Sequence, residues 1–352
     1  MSFKANNQPP EFAIHWAREL GSSEKSLVQL QGGINNRVFR CGEAHNQWVI
    51  KGYSPLEPDQ RDRMQAEVDF LRYSAQVAPG FTPELIHSDP KLRCVVLEYL
   101  EGKSFTEGVP PPEESVDTAE EFFRRLNADP KAAKCSIHMD AAEGFLRLTE
   151  HLDNVHFRLG SMECNHLPAE ARPEAERLLA ILRSELERIR EITANQISSG
   201  EIVDAISPDS RCVSPSDFGF HNAIQTSTGV RFLDFEFAGW DDPAKSQIDF
   251  FLQPKVPTKS CLNFLFPIRN GELPRYFLMF RILQLKWSCI RLNFLKPKRS
   301  LEIEKIVGKP TYETSLKKIL LIIFNEVNSK EESSLKHFRS LVYSKIGNHN
   351  GV

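Results

Sequence analysis

The chain holds only seven cysteines in 352 residues, an odd number with no C-x2-C pair, which excludes a zinc ribbon and argues against a disulfide frame. Scattered thiols of this kind suit a reducing, cytoplasmic compartment. No excess of basic charge is present either: 44 Lys and Arg stand against 47 Asp and Glu, a net charge of −3. That balance argues against nucleic-acid and membrane-surface partners, both of which call for a basic footprint. The opening MSFKANNQPPEFAIHW has no apolar core of a secretory signal, so none is expected. The greasiest stretch, 276–295, is interrupted by Arg281, Lys286 and Arg291. A membrane span does not usually carry three charges at that depth, so a core helix is expected there. Internal repeats and low-complexity tracts are lacking. Nothing in the chain reports an oligomeric state.

What is present begins with the segment 213–249, VSPSDFGFHNAIQTSTGVRFLDFEFAGWDDPAKSQID. Asp217 stands five residues before Asn222, and Asp234 seventeen residues after Asp217. Between Asn222 and Asp234 an apolar-polar run, a Thr-Ser-Thr-Gly turn and the strand-like 230–233 predict a β-hairpin, with acid and amide on one arm and a carboxylate on the other. Phosphoryl transfer needs such a set: one carboxylate to take or orient a hydroxyl proton, and oxygen ligands for a Mg²⁺ that bridges phosphates.

These residues resemble the catalytic block of the aminoglycoside phosphotransferase / choline kinase superfamily, H-x-D-x4-N, then [ILV]-D-[FW]-E, then D-P and a further Asp. Asp217, Asn222, Asp234, Phe235, Glu236, Asp242, Pro243 and Asp249 fall at matching offsets. The chain departs from the pattern where the His should be, since Pro215 stands there, followed by Ser216 in place of Gly. In related kinases that His mostly braces the loop, so its loss bears on geometry more than on chemistry. The resemblance implies a two-lobe, protein-kinase-like α+β fold and ATP-dependent phosphorylation of a hydroxyl on a small molecule. It gives Asp217 the role of base, Asn222 and Asp234 the Mg²⁺, Glu236 a supporting place in the metal shell, and Asp249 the bracing of the loop. A catalytically impaired pseudokinase is the alternative, motivated by Pro215. A protein kinase fits less well: the block runs DFEFAGWDDP, without D-F-G or A-P-E.

The first hundred residues suit a small sheet. Runs 27–31, 38–41, 47–53, 84–87 and 93–97 predict five strands. Gly32 and Gly33, with Asn36 after them, form a turn in which the backbone can approach phosphate oxygens, and the resembling kinases commonly open with G-G-x-x-N. Lys51 ends the apolar Trp48-Val49-Ile50, a place for a charge only if it faces a cleft. Glu67 lies beside the helical stripe of Met64, Val68, Leu71 and Ala75. A strand lysine facing a helix glutamate is the ion pair that aligns nucleotide phosphates in kinases. The strand through Val95 then enters a hinge where main-chain groups of Glu98 and Leu100 can hold an adenine ring.

After Gly102 the pattern turns helical, which sets the expected division: a nucleotide-binding lobe over 1–101 and a catalytic, acceptor-binding lobe over 102–352. Pro110 to Glu114 reads as a linker, and helices are predicted over 119–127, 141–152, 173–192, 276–295 and 315–327. In the third of these, Leu178, Ile181, Leu182, Leu186, Ile189 and Ile192 share one face. The acceptor is left open. Trp240 and Trp287 suit an aromatic cage or a core, and Asp140, Glu143, Asp241 and Asp242 suit a cationic ligand or a solvated surface.

Overall fold

The structure is a computed structural model that describes residues 8–30, 36–43, 46–55, 61–258, 270–329, 336 and 338–340. Gly32 and Gly33 lie outside the described residues. The chain forms two compact units, one from Met1–Ala142 with Cys212–Trp240, the other from Glu143–Arg211 with Asp241–Val352.

In the first unit, β1 (Val28–Gln29), β2 (Asn36–Glu43), β3 (Asn46–Tyr53), β4 (Leu85–Asp89) and β5 (Cys94–Glu98) form an antiparallel sheet in the order β1-β2-β3-β5-β4. The expected small five-stranded sheet is present. Central β3 sets the site: Lys51 pairs with Val38 on one side and Val95 on the other. Helix α1 (Glu11–Glu19) covers the sheet, with Ala17 packed on Cys41 and Ile50. A side chain at Gly52 would meet the Phe12 ring 2.2 Å from its Cβ, so a larger residue at this strand position would have to move that ring.

Helix α2 (Arg63–Val77) is capped by Asp62, whose carboxylate accepts from the Gln65 amide. It buries Met64, Val68 and Leu71 of the expected stripe, and Glu67 among them, while Ala75, the last member of the stripe, is exposed near the helix end. Helix α3 (Glu113–Leu126) starts earlier than expected. Glu113 and Glu114 are its first turn, not linker, where carboxylates complement the positive end of the helix dipole. Helix α4 (Pro130–Ser136), signalled by the Asp129 cap and Pro130, adds a short turn.

After β6 (Lys103–Ser104) and β7 (Cys212–Ser214) comes the predicted hairpin, β8 (Ala223–Thr226) with β9 (Gly229–Phe232), joined at its edge by β6. Phe122 of α3 stacks on Phe232 and on Phe81, while Phe235 stacks on Phe70 of α2. These rings, not only main-chain pairing, seat the hairpin.

The second unit is helical. Helices α5 (Leu148–Gly160), α6 (Arg172–Ser198), α7 (Pro243–Leu252), α8 (Leu273–Arg291), α9 (Pro297–Val307) and α10 (Lys309–Ser329) surround one apolar core. The α6 stripe is borne out: Leu178, Leu182, Leu186 and Ile189 are buried. A helix over 141–152 is not. The amides of Ala141 and Ala142 donate to the carbonyls of Trp240 and Phe237, and Glu143 sits at φ 55, a left-handed conformation that no helix accepts. The greasy stretch is the core helix α8, ending four residues early in a short 3₁₀ turn, Asn293–Leu295. Its charges have partners: Arg281 bonds Glu185, and Lys286 donates 2.6 Å bonds to Asp249. No helix among the described residues is long and apolar enough to cross a membrane.

Asp241 and Asp242 do not lie on a solvated surface; both are fully buried. Asp241 accepts from Lys245 at 2.6 Å and Asp242 from Arg275 at 2.6 Å. Burial pushes the Asp241 carboxyl up to about 6, although the Lys245 ammonium pulls the other way. A raised carboxyl binds a proton in the folded state that the unfolded chain has released. Its contribution to stability therefore falls as pH rises from the ordinary carboxylate range through the raised value. Lys245→Met, which strands this carboxylate, is expected to cost about 3–5 kcal/mol near neutrality. The loss should shrink toward about pH 5, where the carboxyl takes up its proton. Denaturant titrations at both pH values check it; equal losses would contradict it.

Candidate active site

Lys51 and Glu67 meet in the interior of the first unit, 5 % and 1 % exposed. The Lys51 ammonium donates to Glu67 Oε2 at 2.5 Å and to Asp234 Oδ1 at 2.5 Å. Tyr53, two residues on and so on the same face of β3, donates its hydroxyl to the same Glu67 oxygen at 2.5 Å. Burial pushes the lysine down, but the Glu67 and Asp234 carboxylates outweigh it, and the net shift is upward. Burial and the Glu67 charge push the Tyr53 phenol well above its ordinary value, so it stays a donor.

Asp234, separated from the end of β9 by Leu233, is held at φ 67, a strained conformation for a non-glycine residue. Phe235, anchored on Phe70, fixes the chain beyond it. The Leu233 amide, just before it, donates to the Asn222 carbonyl at 2.8 Å. Asp234 therefore points a partly exposed carboxylate at Lys51 from a turn tied on both sides. Glu236 is buried; Asn36 donates to its Oε2 at 2.5 Å and Arg63 lies 3.8 Å from Oε1. Burial pushes its carboxyl up despite the opposing pull of Lys51 and Asn36. Arg61 donates to the carbonyls of Glu236, Ala238 and Asp140, which clamps this segment by its main chain.

The loop before the hairpin carries Asp217. Asn127, at the end of α3, exchanges two bonds with the main chain of Val213, at 2.7 and 3.0 Å, and so fixes where the loop begins. The Ser216 amide donates to Ser214 Oγ at 2.9 Å, and Ser216 adopts φ 66. A 3₁₀ turn, Phe220–Asn222, then folds back on Asp217. The Asn222 amide donates to the Asp217 carbonyl at 3.0 Å and to Oδ2 at 3.2 Å, while His221 Nε2 lies 3.1 Å from Oδ1.

Lys51, Glu67 and Asp234 are thus in direct contact, and Asp217 with Asn222; the Leu233–Asn222 bond joins the two groups. Acid and amide precede the hairpin instead of lying on its first arm, and Asp234 follows its second. Asn36 reaches Glu236. Glu98 sits on β5 opposite Trp48, three residues along from Val95, the partner of Lys51. Its amide donates to the Glu84 carbonyl at 2.9 Å and its carboxylate accepts from Arg231 at 2.8 Å. Leu100 is buried just beyond. Asp249 of α7 accepts from Lys286 and, at 2.9 Å, from Trp287 Nε1. Trp240 donates to the Ile137 carbonyl at 2.9 Å. Tyr53, Arg61, Asn127 and His221 were not anticipated, although Tyr53 shares the strand face of Lys51.

A buried lysine shared by a helix glutamate and a turn aspartate, beside an Asp–Asn loop, is a phosphate-handling arrangement. Residues 26–245, more than half of the chain, match the phosphotransferase enzyme family. The chain belongs to that family. It is a kinase, a phosphotransferase with an alcohol group as acceptor, as the catalytic block implied. No curated protein sequence matches it. Among solved structures, a choline kinase from Cryptosporidium parvum Iowa II superposes with a TM-score of 0.55 at 12 % identity, covering 95 % of this chain and 99 % of its own. A choline/ethanolamine kinase family protein from Mesorhizobium loti gives 0.47 at 18 % identity, over 90 % and 92 % of the two chains. The aminoglycoside phosphotransferase APH(4)-Ia, solved with ADP and hygromycin B, gives 0.43 at 14 % identity, over 92 % and 99 %. The phosphotransferase therefore has the protein-kinase-like α+β fold expected of it.

Proposed function

We propose that this phosphotransferase moves the γ-phosphate of ATP to a hydroxyl of a small polar metabolite: an amino sugar, a sugar or an amino alcohol. The observation that carries the reading is Lys51 held between Glu67 and Asp234. An ammonium has three donors, and two of them go to these carboxylates. The third suits an oxygen of the α- or β-phosphate. Glu67, fixed by Tyr53, keeps the lysine aimed, while main-chain groups of Glu98 and Leu100 flank the adenine. Gly32, Gly33 and Asn36, which precede and open β2, would contribute to phosphate binding, as the resemblance implies.

Asn222 and Asp234 would hold Mg²⁺, and their chemistry fits a hard cation. Asn222 turns its NH₂ toward Asp217, which leaves its carbonyl oxygen facing away, and Asp234 keeps a second carboxylate oxygen beside the one on Lys51. When bound, the ion neutralises charge on the transferred phosphoryl. Glu236, buried next to Asn36, braces the shell. Asp217 takes the proton of the acceptor hydroxyl as that oxygen bonds to the γ-phosphorus; the bond from phosphorus to the bridging oxygen breaks and ADP departs.

Residues 1–101 would form the nucleotide-binding lobe and 102–352 the catalytic and acceptor lobe. The near-neutral charge balance supports a small-molecule acceptor over nucleic acid or membrane, and the odd, scattered cysteines support a cytoplasmic setting. The test is ATP consumption against panels of sugars, aminoglycosides and amino alcohols. Pro215, with Ser216 strained beside it, favours the pseudokinase alternative, and a wild type inert on every acceptor and without ATPase activity would establish it.

Mg²⁺ and an ATP analogue together should stabilise the protein more than either alone, since two protein oxygens hold Mg²⁺ weakly without phosphate ligands. At about 100 times the dissociation constant the gain is about 2.7 kcal/mol. Thermal melts of wild type and Asp234→Ala check this. The variant should lose the joint shift, and equal shifts in both would remove Asp234 from the site.

A further inference from the structure

We propose that His221 is a positioning residue for Asp217, holding its carboxylate in the one orientation that leaves it open to an acceptor hydroxyl; this rests on the phosphotransfer reading above. Position 215 is Pro, which offers no side-chain donor to the loop, and Ser216 stands at φ 66, so Asp217 follows directly on a strained position. The 3₁₀ turn Phe220–Asn222 brings two consecutive side chains back onto the carboxylate, one to each oxygen: His221 Nε2 at 3.1 Å from Oδ1 and Asn222 Nδ2 at 3.2 Å from Oδ2. Two contacts on opposite oxygens orient the carboxylate plane, and the Asp217 side chain, 38 % exposed, stays accessible to a substrate.

The two contacts are not equivalent. Asn222 also donates to the Asp217 carbonyl, and its own oxygen is assigned to the metal, so its hold on the carboxylate is shared among tasks. His221 has one polar contact. Its side chain is 8 % exposed, and its Nδ1 is buried without a hydrogen-bond partner among the described residues. That asymmetry selects the tautomer. A buried N–H without an acceptor costs more than a bare ring lone pair, which an imidazole tolerates, so the hydrogen belongs on Nε2 and is donated to Asp217. An imidazole in this state touches neither substrate nor metal and acts only through Asp217.

The experiment compares wild type, His221→Leu and His221→Gln. Leucine removes the donor; the glutamine amide reaches about as far as Nε2. His221→Leu is expected to lower kcat on the order of 10- to 100-fold through misplacement of Asp217. KM for ATP and the Mg-nucleotide shift in thermal melts should stay near wild type, and His221→Gln should recover most of kcat. A His221→Leu enzyme with wild-type kcat overturns the role. So does a parallel loss of rate and nucleotide stabilisation that glutamine does not repair, because that is a folding defect. Should the leucine variant fail to fold, ¹⁵N-histidine spectra of wild type decide: the His221 ring, assigned by its loss in His221→Gln, should be protonated on Nε2 and should shift in Asp217→Asn. Protonation on Nδ1 overturns the hydrogen bond and the role with it. A wild type inert on every acceptor sinks the phosphotransfer reading and this role together, whereas an active wild type with an indifferent His221→Leu sinks this role alone.

Discussion

Asp217→Asn should abolish phosphoryl transfer while Mg-nucleotide binding stays within a few-fold of wild type. The substitution removes the carboxylate that receives the hydroxyl proton and touches neither Lys51 nor the proposed metal oxygens. General-base contributions are about 10²–10⁴-fold, so the residual rate should be small and measurable only in long incubations. The structure adds a cost that an isosteric replacement would hide. In wild type both carboxylate oxygens accept, Oδ1 from His221 and Oδ2 from Asn222. An amide has only one acceptor oxygen, so one of the two donors loses its side-chain acceptor whichever way it is flipped. A lost hydrogen bond is worth about 0.5–1.5 kcal/mol, so a modest drop in melting temperature accompanies the loss of rate. Calorimetry, nucleotide titration and a transfer assay on the same preparation check all three. An Asp217→Asn enzyme that still turns over near the wild-type rate would move the base elsewhere.

The parts of this site that were legible in the sequence are those whose geometry follows from local periodicity. Lys51 stood out because a charge on an apolar strand must face something, and Glu67 because a 3.6-residue stripe fixes its side of α2. The spacing of Asp217, Asn222 and Asp234 survived because a hairpin of that length returns the chain to the same place. The helix start at Leu148 was hidden because the residues before it are held by the main chain of a segment nearly a hundred residues away. Asp241 and Asp242 stayed open between a cationic ligand and a solvated surface because burial does not show in the spacing: Lys245 meets Asp241 only where α7 begins, and Arg275 meets Asp242 only once α8 packs. Arg61 left no signal at all: it recognises three carbonyls, and carbonyls carry no side-chain code. His221 lay in plain view four residues from Asp217, but a helical spacing carries meaning only if a helical turn forms, and the turn here is a single 3₁₀ step.

Lys51→Met should do two separable things, and separating them tests whether the ion pair is structural as well as functional. It removes the proposed phosphate contact, and loss of one preorganised electrostatic contact of this kind lowers rate by about 10²–10³-fold. It also leaves Glu67 buried at 1 % exposure with the Tyr53 hydroxyl as its remaining hydrogen-bond partner among the described residues, a stranded carboxylate worth about 3–5 kcal/mol of stability. In wild type the raised lysine contributes stability that is fully present below its ordinary pKa and is lost only as pH rises through the folded value, so near neutrality the whole contribution is in place. Adding Glu67→Gln should recover much of the stability, because a neutral amide still accepts from Tyr53, and should recover none of the transfer, because the cation that meets the phosphates is still missing. Denaturant unfolding near neutrality, set beside single-turnover transfer for both variants, resolves the two effects. A Lys51→Met protein as stable as wild type, or a double variant no more stable than the single, would mean that Glu67 does not depend on the lysine in the interior where the structure places both.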